Sequence, residues 1–219
     1  IRRALSFSLP YQAAGAVHIA RDGAIPLLVG AMLGASAVGI ANWAQMLALS
    51  IVLGAYVVQR GLLPGFSRIV ERGAAAQGEL AAAAEAALFF LYAAILTLMG
   101  AIVVHAREIA LLVFGVQWLG ALPYFYAICA LNLILPAVIV SGSVVSAFGR
   151  SNLVFRAMAV SVVLLWVVGF LAMPQFGLWG YITALVLSQS VLLEIVLEAK
   201  RAIRFRILPL LAPVVAWLG

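Results

Sequence analysis

Apolar stretches of roughly 20 or more residues recur along the chain between short polar breaks, and they constrain its fold more than any other feature. Hydrocarbon offers no partners to backbone polar groups, so stretches of this length are expected to cross a membrane as α-helices. The composition agrees, because 67% of the residues are hydrophobic and only 9% are charged. The sequence predicts an all-α, polytopic membrane helical bundle.

Six spans and the start of a seventh are predicted. Their approximate ranges are 5–33, 38–62, 86–104, 119–148, 153–172, 177–197 and, for the incomplete run, 207–219. Because the chain starts abruptly and stops inside an apolar run, we expect residues 1–219 to be one domain of a longer protein. Cys129 is the only cysteine, so neither an intrachain disulfide nor a cysteine-based metal site is expected.

The positive charges predict an orientation. Eleven of the thirteen lysines and arginines precede the first span or follow the second, fourth and sixth spans, which places them on one side of the membrane. The positive-inside rule assigns that side, and the N-terminus, to the cytoplasm. The net charge of +6 therefore reflects topology, and no nucleic-acid partner is expected.

Arg21 and Asp22 lie inside the first predicted span. An ionisable pair at bilayer depth costs several kcal/mol unless it faces partners or water, so it marks a candidate binding cavity. Pro26 cannot donate to the carbonyl of Asp22, which leaves a freed acceptor at the same level. Loop-charge parity favours one long helix bent at Pro10 and Pro26. The alternative is a purely structural pair in which Arg21 or His18 neutralises Asp22.

The fourth predicted span repeats this arrangement, because Pro136 follows Asn132 by four residues and frees its carbonyl. Secondary transporters build sites from such kinked helices with polar groups near the midplane. The candidate substrate- or ion-binding residues are Arg21, Asp22, His18 and Asn132, and the candidate helix kinks are Pro26 and Pro136.

Other polar residues are weaker candidates. Gln12, Asn42, Gln45 and Gln189 can line a cavity, but single amides in membrane helices commonly bond to a neighbouring helix. No catalytic or phosphate-cradling motif is present, so we do not expect an enzyme. No cofactor is expected beyond a coupling H⁺ or Na⁺.

Two charged stretches are expected at the membrane surface. The segment 60–85 carries mixed charge and is expected to hold a short interfacial helix. Glu194 and Glu198, one turn apart, are expected to be neutralised by Lys200 and Arg201.

Five short motifs resemble landmarks of polysaccharide-biosynthesis flippases, in the same order. They are LVGAMLGASAVGIANWAQ at 28–45, LPGFSR at 63–68, FGVQW at 114–118, SAFGR at 146–150 and FGLWGY at 176–181. These flippases belong to the multidrug, oligosaccharidyl-lipid and polysaccharide exporter superfamily, and the chain resembles their C-terminal lobe. On that resemblance Asp22 corresponds to an aspartate of the seventh helix of the full protein.

The resemblance implies two six-helix lobes around a central cavity, with the N-terminal lobe missing here and 207–219 as a thirteenth helix. It implies an inner-membrane protein of bacteria that flips undecaprenyl-linked oligosaccharides, such as O-antigen precursors of lipopolysaccharide, by alternating access. Arg21 would bind the pyrophosphate or an acidic sugar. Asp22, with His18, would carry a proton or coordinate a cation.

Three alternatives stay open. One is a cation-coupled multidrug or small-solute exporter of the same superfamily. Another is a membrane enzyme of polysaccharide assembly, which would need a larger polar outer loop than this chain offers. The last is a purely structural membrane subunit, in which the polar residues at depth could be replaced freely.

Overall fold

A computed structural model describes residues 17, 19–73 and 76–203. Within this part, five helices are long and apolar enough to cross a membrane, namely Ile19–Val70, Gln77–Val104, Val116–Ala147, Ser151–Phe176 and Leu178–Ile203. The predicted class, an all-helical membrane bundle, is therefore confirmed. The predictions made for Pro10, Gln12, His18 and the run 207–219 lie outside the described residues.

The first of these helices folds back on itself at Gly34, whose φ of 83° and ψ of 177° are not helical. Glycine adopts a positive φ without steric cost. A Cβ on Gly30 would lie 3.3 Å from Cγ2 of Val38, although eight residues of straight helix would separate them by about 12 Å. The chain therefore turns at Gly34, between the ranges predicted for the first two spans, and the count of six spans and the start of a seventh stays a prediction.

The remaining elements follow in simple order. After a π-helical segment, Ala24–Val29, come α1 (Gly30–Val70, bent at Gly34), α2 (Gln77–Val104), α3 (Leu122–Asn132), α4 (Leu135–Ala147), α5 (Ser151–Phe176), α6 (Leu178–Val191) and α7 (Leu193–Ile203). Short turns of α-, π- and 3₁₀-helix, Ala106–Ile109, Ala110–Phe114 and Val116–Ala121, connect α2 to α3.

The prediction of a short interfacial helix within 60–85 is wrong for the described residues of that segment. They extend two long helices instead, because α1 continues to Val70 and α2 begins at Gln77. Alanine has the highest helix propensity, which favours this extension of α2. Across the intervening turn, Arg72 Nη1 lies 2.9 Å from Glu79 Oε1.

Helices α5 and α6 form a tight hairpin around Gly177, which has a φ of 57°. A Cβ on Gly180 would lie only 2.6 Å from the carbonyl carbon of Ala172, so the two backbones are nearly in contact. Small residues permit such close approach between membrane helices. This packing fixes the position of Tyr181, the next residue of α6.

The helix pair α3 and α4 forms the inside of the bundle. Its segment Val116–Ala147 is the most buried of the five candidate spans, and α4 packs against α1, α2, α5 and α7. In contrast, α1, α2 and α5 expose large apolar side chains such as Leu53, Phe90 and Val163. An apolar outer surface over several long helices is what a bilayer requires.

Candidate functional site

A cavity of about 130 Å³ collects the polar residues that the sequence places at bilayer depth. Its polar lining comes from three helices and from the segment before α1, and consists of Arg21, Asp22, Asn42, Gln45, Asn132, Tyr181 and Gln189. The rest of its wall is apolar, formed by Ile25, Ile128, Leu131, Leu165 and Leu185. The structure therefore brings together three of the four predicted site residues, Arg21, Asp22 and Asn132.

Arg21 and Asp22 end a short stretch of α-helix, and the π-helical segment Ala24–Val29 follows directly. Pro26 lies within that segment, at whose end the N–H of Gly30 donates to the carbonyl of Ile25, five residues earlier. Proline removes one donor from the helical ladder, which accounts for the altered hydrogen-bond register. Single π-helical turns inside α-helices occur often at functional sites.

A long-range hydrogen bond holds the residues just before the π-helical segment against α5. Nε1 of Trp166 donates to the carbonyl oxygen of Ala20 at 2.9 Å. One turn further along α5, a Cβ on Gly169 would lie 2.7 Å from Cδ2 of Leu28, so α5 also packs closely against the π-helical segment. The position of Arg21 and Asp22 therefore depends on packing against α5.

Arg21 and Asp22 do not form a salt bridge with each other. Among the described residues, no salt bridge joins Arg21 to Asp22 or either of them to another side chain. Successive side chains on a helix diverge by about 100°, which explains why these neighbours do not meet. Tyr181 lines the same cavity as both charged residues. The proposed pairing of Asp22 with His18 lies outside the described residues.

The second predicted element, around Asn132, is a break between two helices. Helix α3 ends at Asn132 and α4 begins at Leu135, and the two residues between them form long, turn-like hydrogen bonds of 3.3 and 3.4 Å. Pro136 has no N–H to offer the carbonyl of Asn132. The Asn132 side chain itself is buried and lines the cavity.

The side-chain amides of Gln45 and Gln189, which were weaker candidates than Asn132 from the sequence, also line the cavity. The Oε1 atoms of Gln45 and Gln189 are buried, and neither has a hydrogen-bond partner in the described part of the chain. A buried, unsatisfied acceptor costs about 1–3 kcal/mol, so a donor or a cation from outside the described residues would stabilise each of them. At about 30 Å³ per water, the cavity has room for roughly four waters.

The sequence contained a weak signal for these amides. Asn42 and Gln45 are three residues apart and therefore share one face of α1, inside an otherwise apolar run. Gln189 lies in a different span and could be connected to them only by the packing of α6. Among the described residues, no group of three or more His, Cys, Asp or Glu side chains could hold a metal ion.

Comparison with known proteins adds a family to this geometry. The family model described as polysaccharide biosynthesis protein matches residues 1–123, more than half of the chain. Neither the curated proteins nor the solved structures gave a match. The matched range includes the charged pair, the bend at Gly34, α1 and α2. With its long apolar helices the chain is a multi-pass membrane protein of polysaccharide synthesis, and it belongs to the polysaccharide biosynthesis protein family.

Proposed function

We propose that this chain is the C-terminal lobe of a flippase that moves undecaprenyl-linked oligosaccharides across the bacterial inner membrane by alternating access. One observation carries the proposal, namely a polar cavity with an arginine and an aspartate inside an apolar bundle. An intramembrane ionisable group is costly and is usually retained for transport or binding. The family supports a polysaccharide precursor as cargo more directly than a drug or a small solute.

Arg21 is the proposed contact for the anionic part of the cargo. Its side chain lines the cavity and has no acidic partner among the described residues. A guanidinium binds phosphate or carboxylate oxygens in a bidentate manner, which suits both a pyrophosphate and an acidic sugar. The cargo lipid would supply the counter-charge that the described residues do not.

Asp22 is the proposed site of energy coupling. Asp22 lines the same cavity as Gln45 and Gln189, whose Oε1 atoms have no hydrogen-bond partner among the residues that the structure describes, so the cavity offers several oxygen acceptors. Hard monovalent cations take oxygen ligands, and a carboxylate can instead carry a proton. We propose that Asp22, assisted by Asn132 and His18, binds the coupling Na⁺ or H⁺.

The two irregular helix segments are the proposed moving parts. The π-helical segment at Pro26 and the break before Pro136 lie beside the cavity and lack complete helical hydrogen bonding. Discontinuous helices of this kind serve transporters as sites where binding changes the packing of a bundle. In this proposal the N-terminus lies in the cytoplasm, and the missing N-terminal lobe closes the cavity. No residue has a catalytic role in it.

Complementation tests the proposal. The full-length gene is expressed in a strain lacking its envelope-polysaccharide flippase, and surface polysaccharide is quantified at matched membrane abundance. Arg21→Ala and Asp22→Asn are each expected to reduce it at least tenfold. The matched controls Arg107→Ala and Glu108→Gln change exposed residues outside the cavity and should leave it unchanged. Full activity of both cavity variants would overturn the site, and failure of the unmodified gene would overturn the function.

A further inference from the structure

A second cavity, of about 470 Å³, lies at the arginine-rich end of the bundle and shares no lining residue with the polar cavity. It is formed where α4 ends and α7 passes, and its lining residues are Val145, Phe148, Arg150, Glu198, Arg201 and Ala202. Its volume lies within the range of roughly 300–1,000 Å³ that is typical of small-molecule sites. Its size therefore allows a ligand.

Two guanidiniums share one carboxylate in this cavity. Glu198 Oε1 accepts a hydrogen bond from Arg150, and Glu198 Oε2 lies 3.5 Å from Nη1 of Arg201. A guanidinium has five N–H donors, and Glu198 is the only acidic partner of either arginine in the part of the chain that the structure describes. Most of these donors are therefore available, and the three side chains sum to one positive charge.

The surroundings of the cavity match the boundary between headgroups and acyl chains. Helix α7 buries Ile195, Ala199 and Ile203 against the bundle while Arg201 extends outward with 77% of its side chain exposed. Such an amphipathic helix is typical of the membrane interface. Val145 and Phe148 provide an apolar wall next to the two arginines. A ligand with an anionic group joined to an apolar chain would satisfy both parts.

We propose that this cavity binds the headgroup of an anionic phospholipid, with its phosphodiester on Arg150 and Arg201. The single negative charge of a phosphodiester balances the net positive charge of the lining, which a pyrophosphate would exceed. Basic pockets between membrane helices on the cytoplasmic side are known to hold anionic headgroups. The proposal is independent of the transport function and uses none of the residues of the polar cavity.

Native mass spectrometry of the full-length protein in detergent tests the proposal, with phosphatidylglycerol and phosphatidylcholine as probes. Arg150→Gln and Arg201→Gln are each expected to weaken phosphatidylglycerol binding roughly fivefold. Arg156→Gln is the matched control, because it removes the same charge from a similar pair, 2.8 Å from Glu194, that does not line the cavity. Thermal unfolding of each variant verifies that it is folded.

Glu198→Gln distinguishes a lipid site from a structural ion pair. It would leave both guanidiniums without their carboxylate, so phosphatidylglycerol should bind several-fold more tightly, whereas a structural role alone predicts no gain. Equal binding of the two lipids, or unchanged binding by Arg150→Gln and Arg201→Gln, would overturn the proposal. Displacement of phosphatidylglycerol by equimolar inorganic pyrophosphate would assign the site to a free phosphate instead and would equally overturn it.

Discussion

The backbone contact at Gly180 leads to a sharp prediction about stability. A Cβ at this position would lie 2.6 Å from the carbonyl carbon and oxygen of Ala172 and from the backbone nitrogen of Met173. Favourable contacts between carbon atoms require about 3.5–4.0 Å, so Gly180→Ala forces α5 and α6 apart by roughly 1 Å. Backbone atoms cannot rotate away. The cost should therefore reach the upper part of the ~1–3 kcal/mol range observed for overpacking.

The assay is thermal unfolding of the purified full-length protein in detergent. A loss of about 3 kcal/mol corresponds to roughly 6–12 °C in a domain of this size. Gly54→Ala is the control, because no atom of the described residues lies within 4 Å of its added Cβ and alanine gains up to about 1 kcal/mol of helix propensity. Equal midpoints for the two variants would refute the close contact between α5 and α6.

Three further predictions concern the bend, an anchor and a buried thiol. Gly34→Ala puts a side chain at a φ of 83° and should cost about 1–2 kcal/mol of stability. Gly39→Ala, whose added Cβ meets no atom of the described part of the chain, should cost nothing, and similar unfolding midpoints for the two variants would contradict the bend. Trp166→Phe removes the donor to Ala20 and should lower stability by about 1 kcal/mol in the same assay, and an unchanged midpoint would argue against that bond. Cys129 is 2% exposed, so N-ethylmaleimide should modify its thiol at least tenfold more slowly than the thiol introduced by Ser151→Cys at an exposed position in a Cys129→Ser background. Comparable rates of modification would contradict the burial of Cys129.

Local spacing in the sequence predicted those parts of the site that lie within one helix. Asp22 with Pro26, and Asn132 with Pro136, combine a polar residue and a lost donor four residues apart, and helix geometry alone relates them. Hydrophobic run lengths likewise predicted the helical bundle. The repeated spacing also suggested that Asp22 and Asn132 face one cavity, and both line it. What spacing could not predict was the packing of α3 against α1 and α6, which adds the other polar residues.

Contacts between distant parts of the chain account for the rest. The Oε1 atoms of Gln45 and Gln189 share the cavity only because α1 and α6 meet. Glu198 was expected to be neutralised by Lys200 and Arg201, and its ion pair with Arg201 at 3.5 Å confirms the second of these partners. The sequence did not predict its further partner, Arg150, which donates a hydrogen bond to it. Glu194 pairs with Arg156 instead of Lys200 or Arg201. Charge predicted that both glutamates would have basic partners, whereas tertiary packing gave Glu194 its partner Arg156 and gave Glu198 a second partner, Arg150.

The expected interfacial helix shows a different limit. Mixed charge in 60–85 suggested a separate element lying on the membrane, yet the described residues continue α1 and α2 beyond the apolar runs. Alanine-rich sequence propagates an existing helix easily, since extension needs no new nucleus. In such a case the apolar run predicts where the helix crosses the bilayer core, but it does not predict where the helix ends.

The central claim, that the cavity of Arg21 and Asp22 carries a lipid-linked sugar across the bilayer, is tested most directly by flipping in proteoliposomes. The full-length protein is reconstituted with an undecaprenyl-linked oligosaccharide that carries a fluorophore on the sugar, and a membrane-impermeant quencher reports the outward-facing fraction. We predict that the unmodified protein makes the inner-leaflet pool accessible over time, and that Arg21→Ala and Asp22→Asn leave it protected as in protein-free vesicles. Protection of that pool by the unmodified protein, or flipping by both variants at the unmodified rate, would contradict the account.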